Sequence, residues 1–155
     1  MTAQPRLIAL DEDDLAVISA HVQDASVRAG DIIWRPGEKR LVVGMKRLDW
    51  DHALSGPPSA RRFVTALRFD RVLACKARNF DMDKPDQTLD LIGLEFHSGK
   101  KPGGSVLLMF GGGQALRLDV ECLECELADL GEDHLGTEDP DAAGPDGGIA
   151  ADTDV

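Results

Sequence analysis

Apolar and polar positions change period along this chain, first following a helix and then a run of strands. In DEDDLAVISAHVQDA, Leu15, Ile18, Val22 and Ala25 fall at i, i+3, i+7 and i+10, which makes one stripe of a helix. Asp11 is a good N-cap, and Glu12, Asp13 and Asp14 place negative charge where the helix dipole favours it. The pattern predicts a helix over about residues 12–25, after a short strand or extended lead-in at residues 6–10. Beyond Gly30 the period falls to two. DIIWR and RLVVGMKRL flank Pro36-Gly37 as a hairpin, with Leu41, Val43 and Met45 on one face of its second strand.

Further strands follow. RRFVTALRF places Phe63, Thr65, Leu67 and Phe69 on one face, Asp70 marks a turn or bend, and RVLACKAR has Leu73, Cys75 and Ala77 on one side. TLDLIGLEF puts Ile92, Leu94 and Phe96 together, SVLLMF is a strand, and QALRLDV points Leu116, Leu118 and Val120 inward. The stretches at 49–60 and NFDMDKPDQ read as polar loops. In ECLECELADL the helical stripe returns with Val120, Leu123, Leu127 and Leu130, and Gly131 is placed to end the element. Strand, helix, about seven antiparallel strands and a final short helix define an α+β fold. It is a mostly antiparallel β meander, either a curled sheet or a PH-like (pleckstrin-homology-type) partly open barrel, with an N-terminal helix and a C-terminal capping helix. A two-layer sandwich with both helices on one sheet face is the alternative.

Composition sets the boundaries. The 155 residues suit one domain, with an apolar share of 43% and no Tyr, so Leu, Val, Ile and Ala must build the core. No apolar run approaches the roughly 20 residues of a membrane span, and the first residues lack the apolar centre of a signal peptide. These features, with an odd count of three cysteines, predict a cytoplasmic protein with reduced thiols. Charge is strongly segregated. Residues 28–84 carry thirteen bases against seven acids, whereas residues 119–155 carry thirteen acids and no base. The segment 132–155 holds eight acids and little to bury, so the expectation is one globular domain over 1–131 and a disordered acidic tail over 132–155.

Candidate chemistry is sparse. Cys122 and Cys125 have C-x2-C spacing, but a structural zinc site needs four ligands and Cys75 is the only other thiol, so the pair reads as ordinary helix residues. Arg61, Arg62, Arg68, Arg71, Lys76 and Arg78, with Arg35, Lys39 and Arg40, would form an anion-binding surface if several shared one sheet face. The acidic tail could then fold back onto that surface and compete with an anionic partner. Asp49, Trp50, Asp51 and His52 offer carboxylates beside an indole on a loop, a second candidate ligand site whose bland alternative is a Trp anchoring the loop to the core. His21, His52, His97 and His134 are scattered, SGKKPGGS lacks P-loop spacing, GGGQAL is no dinucleotide fingerprint, and NFDMDKPD lacks the Gly and terminal Glu of a calcium loop. No catalytic residue, metal site or cofactor is indicated.

The phrases ALDEDDLAVISAHVQDA, GDIIW, KRLDWD, ALRFDRVL and GGGQALRLDVECLECELADLG resemble a bacterial family catalogued as domain of unknown function 2948. The resemblance spans nearly the whole chain up to Gly131. It implies an alphaproteobacterial cytoplasmic protein and transfers no activity. Three function classes follow. The leading one is a non-catalytic protein-binding or adaptor module, meeting a partner protein or forming a homodimer. The second is an anion or nucleic-acid binder using the basic strands, although the aromatics that stack bases are scarce. The third is a small enzyme built from scattered residues such as Asp49, Asp51, His52 and Arg61.

Overall fold

A computed structural model describes residues 6–48 and 62–133. These contain ten strands and one α-helix: β1 (Arg6–Ala9), α1 (Glu12–His21), β2 (Ala25–Arg28), β3 (Ile32–Arg35), β4 (Arg40–Leu48), β5 (Arg62–Asp70), β6 (Val72–Arg78), β7 (Thr88–Ser98), β8 (Gly104–Phe110), β9 (Ala115–Val120) and β10 (Cys125–Asp133). The fold is thus a mostly antiparallel sheet with one helix. The strands form one sheet in the order β1-β10-β5-β4-β2-β7-β8-β9-β6, with β3 beside β4. The sheet is not closed, and β1 and β6 are its two ends.

A long bent ribbon organises this sheet. β5 and β6 are separated only by Arg71, which adopts the left-handed conformation at φ 63°, and β9 and β10 only by residues 121–124. β5 pairs with β10 and β6 with β9, so the two halves of one ribbon continue around a corner. Backbone bonds fix that corner. The Asp70 amide donates to the Glu124 carbonyl at 3.0 Å, Glu121 to Arg71 at 2.9 Å, and Val72 to Lys39 in the β3–β4 turn at 3.0 Å. The core fills the curl with alternating strand residues such as Leu41, Val43, Leu67, Phe69, Leu116 and Leu118. α1 packs against β1 and β7 and adds Leu15, Ile18 and Val22 to the core, and the Ser19 hydroxyl accepts the Leu94 amide at 2.9 Å.

The hairpin at Pro36-Gly37 is found, pairing Arg35 with Arg40, and Asp70 does mark a bend. Four expectations are corrected. α1 stops at His21, because Asp24 turns the chain at φ 64° and Ala25 starts a strand, where its buried methyl is a sheet residue. The C-terminal capping helix is the strand β10. Leu123, Cys125, Leu127 and Asp129 are all buried, which is a period of two, while Leu130 of the supposed helical stripe is exposed. Without that helix, the element order that suggested a PH-like barrel is not the one found, and neither is a sandwich with two helices on one face. In β7, Ile92 is an unpaired bulge residue facing solvent, so Leu89 and Leu91 are buried before it and Leu94 after it. In β6, a register shift between Val72 and Ala74 leaves Leu73 55% exposed and Val72 in the core. The tail expectation falls on residues outside the described ones, except that β10 runs on to Asp133.

Candidate functional site

The six cations nominated from sequence do not share one face. The side chains of Arg61 and Arg62, and the loop residues Asp49, Trp50, Asp51 and His52, lie outside the described residues. Arg68 and Arg71 are consumed at the ribbon corner. Arg68 donates to Glu126 at 2.5 Å and lies 3.0 Å from Asp70 as an ion pair, and Arg71 approaches Glu121 and Glu124 at 3.8 and 3.7 Å. Arg40 holds Asp70 at 2.8 Å and Arg6 holds Glu126. Lys39 donates to Glu121 at 2.6 Å, and this hydrogen bond is the main reason the Glu121 carboxyl sits below its ordinary range. The corner is therefore an internally neutralised network with little to offer an external anion.

Lys76 and Arg78 are placed differently. They lie on β6, opposite Arg117 and Ala115 of β9, and since Leu116 and Leu118 are buried, the alternation turns all three cations to the outer face. Arg117 pairs with Asp119 at 3.2 Å, whereas Lys76 and Arg78 have no carboxylate partner among the described residues. β6 is also a sheet end. All of its residues except Leu73 pair with β9 on one side, and among the described residues no strand pairs with its other side. Such an edge presents a row of backbone donors and acceptors. Exposed Leu73 stands at its start and the two cations at its finish.

The most buried charges were missed from sequence. Arg47 and Asp129 have side-chain exposures of 5% and 0%. The Arg47 guanidinium donates Nε to Asp129 Oδ1 at 2.8 Å and a terminal nitrogen to Oδ2 at 2.5 Å, a bidentate pair. The Thr65 hydroxyl donates to the same Oδ1 at 2.7 Å, and the guanidinium lies 5.1 Å from the centre of the Phe63 ring. The signal available was parity. Arg47 continues the inward series Leu41, Val43, Met45, and Thr65 was already on an inward face. The pair ties β4 to β10 across β5.

Cys75, Cys122 and Cys125 are free thiols, and burial pushes the Cys75 thiol up to about 11 and the Cys125 thiol upward as well. Cys125, expected on a helix, is a buried strand residue. A concavity of about 910 Å³ opens over Asn79 to Gln87, but its acids Asp81, Asp83 and Asp86 do not converge, and no group of three metal-binding side chains occurs among the described residues. No helix among the described residues is long and apolar enough to cross a membrane.

These features define a single-sheet α+β protein whose ion pairs brace the sheet and whose open end strand carries cations with no carboxylate partner among the described residues. The chain belongs to the family described as Protein of unknown function (DUF2948), whose model matches residues 6–142. That match runs past Gly131, where the sequence suggested the domain ends. No curated protein and no solved structure matches the chain.

Proposed function

We propose that this protein is a non-catalytic binding module that takes an extended segment of a partner protein along the outer edge of β6. The observation that carries this reading is the edge of β6 beyond Val72, which no strand pairs among the described residues, with a large exposed apolar side chain, Leu73, near its start. Strand addition uses main-chain hydrogen bonds for affinity and alternate side chains for specificity. Lys76 and Arg78 discourage unspecific edge pairing and select a segment carrying carboxylates. The three free thiols support a reducing, cytoplasmic setting. The alternative reading, an anion binder, shrinks to Lys76 and Arg78, because the other described cations of the basic middle that were expected to form a surface are paired with carboxylates.

The test is affinity purification from the native cell with wild-type protein and with Leu73→Asp/Lys76→Glu, whose altered side chains are exposed. Partners are expected on the wild type and lost on the variant, with hydrogen exchange of the β6 amides slowed in the reconstituted complex. Equal retention by both proteins, or a complex that leaves β6 exchange unchanged, overturns the proposal.

A further inference from the structure

We infer that this chain forms a weak two-fold dimer through the outer face of β3, β4, β5, β10 and β1. Directly opposed residues of paired strands share a side, so register sets the side chains of that face in rows. Ile33, Val42, Arg68, Glu126 and Ile8 stand in one row across the five strands. Gly44, Ala66, Ala128 and Arg6 form the next, and Lys46 and Val64 continue a third on β4 and β5. Leu130, the unpaired residue at the register shift in β10, is exposed next to Gly131, which stands opposite Val64. Their buried neighbours Leu41, Val43, Leu67 and Leu127 point the other way, into the core. Ile8, Ile33, Val64 and Leu130 are four of the eight large apolar side chains exposed among the described residues, and register gathers them on one face. Single exposed apolar side chains are ordinary, whereas a contiguous patch marks an interaction site.

Charge, shape and area argue for a second copy as the occupant. In the first two rows the charges are engaged with one another or with their own chain: Glu126 takes Arg6 and Arg68, and Arg68 also reaches Asp70. Those rows therefore select no oppositely charged partner and fit a surface that is itself apolar and internally neutralised, which an identical copy presents. An isologous contact also requires a self-complementary patch. Here the row of Ile33, Val42 and Ile8 stands high beside the low row of Gly44, Ala66 and Ala128. A two-fold axis running across the strands between these rows sets each copy's high row over the other's low row, with Val42 above Gly44 of the second copy and Arg68 above its Ala66. Strands about 4.8 Å apart and alternate residues about 6.8 Å apart give five strands and three rows a footprint of roughly 25 by 20 Å. Two such footprints bury about 1,000 Å², the lower end of specific interfaces, so the dimer is expected to be weak. β6 lies at the other end of the sheet order and stays outside this contact, so the dimer would present two docking edges.

The experiment is sedimentation velocity on the full chain from about 10 to about 500 μM, the range of a weak interface, with methyl NMR over the same range. Wild type is compared with Ile8→Lys/Leu130→Lys and with Ile92→Lys, whose altered side chains are all exposed. Ile92 lies on β7, outside the proposed contact. The average mass of wild type and of Ile92→Lys should rise toward that of a dimer. The dissociation constant of Ile8→Lys/Leu130→Lys should be about 10-fold higher or more, at unchanged circular dichroism. In wild type the methyl resonances of Ile8, Ile33, Val42 and Val64 should move with concentration, and those of Leu73 and Ile92 should not. A monomer throughout overturns the inference, and so does an Ile8→Lys/Leu130→Lys protein that dimerises as tightly as wild type. A dimer whose moving resonances are those of Leu73 or Ile92 also overturns it, and this wild-type measurement decides even where a variant fails to fold. Neither result touches the partner-strand reading, which stands or falls on the Leu73→Asp/Lys76→Glu purification.

Discussion

Asp129→Ala offers the sharpest test of how the ribbon is braced. The substitution removes both acceptors of the Arg47 fork and the acceptor of the Thr65 hydroxyl, while the guanidinium stays enclosed at 5% exposure. Attraction between such groups is large, but so is the desolvation each has already undergone, and removing Asp129 takes away the compensation its carboxylate gives Arg47. Breaking a buried pair in this way costs about 3–5 kcal/mol, out of the roughly 5–15 kcal/mol that holds a domain folded. With a urea slope of about 2 kcal/mol per molar, the unfolding midpoint should fall by about 1.5–2.5 M. The companion variant Arg47→Met/Asp129→Leu removes both charges and keeps the volume apolar, so it should recover most of the loss or exceed wild type. Urea denaturation followed by circular dichroism measures both. An Asp129→Ala cost under about 1 kcal/mol, or a double variant less stable than the single, would refute the argument that desolvation dominates here.

Two further outcomes follow from packing and burial. A methyl added at Gly104 would meet the His97 carbonyl at 2.4 Å and the Phe96 ring at 2.9 Å, so Gly104→Ala should cost about 1–3 kcal/mol, whereas Gly37→Ala, with open space around it, should change stability little in the same thermal melts. The Cys75 thiol, pushed up to about 11 from an ordinary 9.0 by burial, should resist alkylation at neutral pH in the native protein and react once unfolded. The sign of the linked stability is fixed by the thiolate, which the unfolded chain forms first. Stability should therefore fall as pH rises from about 9 to about 11, and replacement by Ser should flatten that slope in pH-dependent denaturation.

Local chemistry was legible wherever it acted locally. The Asp11 cap, whose side chain accepts the Asp14 amide at 2.8 Å, the Pro36-Gly37 turn and the alternation in β5 and β9 are all decided within a few residues, and all are found. β10 was misread for a physical reason. Leu123 and Leu127 are four apart, a spacing that is even and near one helical turn, so they satisfy both periods. The residues that decide between the two are Cys125, which behaves as a small apolar side chain, and Asp129. A buried Asp makes no sense on a strand until its partner is known, and Arg47 lies 82 positions away. The bulges at Leu73 and Ile92 escaped notice because each shifts parity by one residue with no local marker.

The charge segregation now has a different meaning. A basic middle and an acidic end suggested a surface seeking an external anion, yet the two segments prove to be facing strands of one bent ribbon. Arg68 on β5 meets Glu126 on β10, Arg71 meets Glu121 and Glu124 across the corner, and Arg47 meets Asp129 in the core. Exposed pairs of this kind contribute little each, so their value lies in register: a one-residue slip of β10 against β5 would move Glu126 off Arg68 and turn Asp129 outward, away from buried Arg47. The acids within residues 119–129 are thereby assigned to the fold. The cations at the finish of β6 have no carboxylate partner among the described residues, and that is why the open edge, and not the basic middle as a whole, is the proposed place of binding.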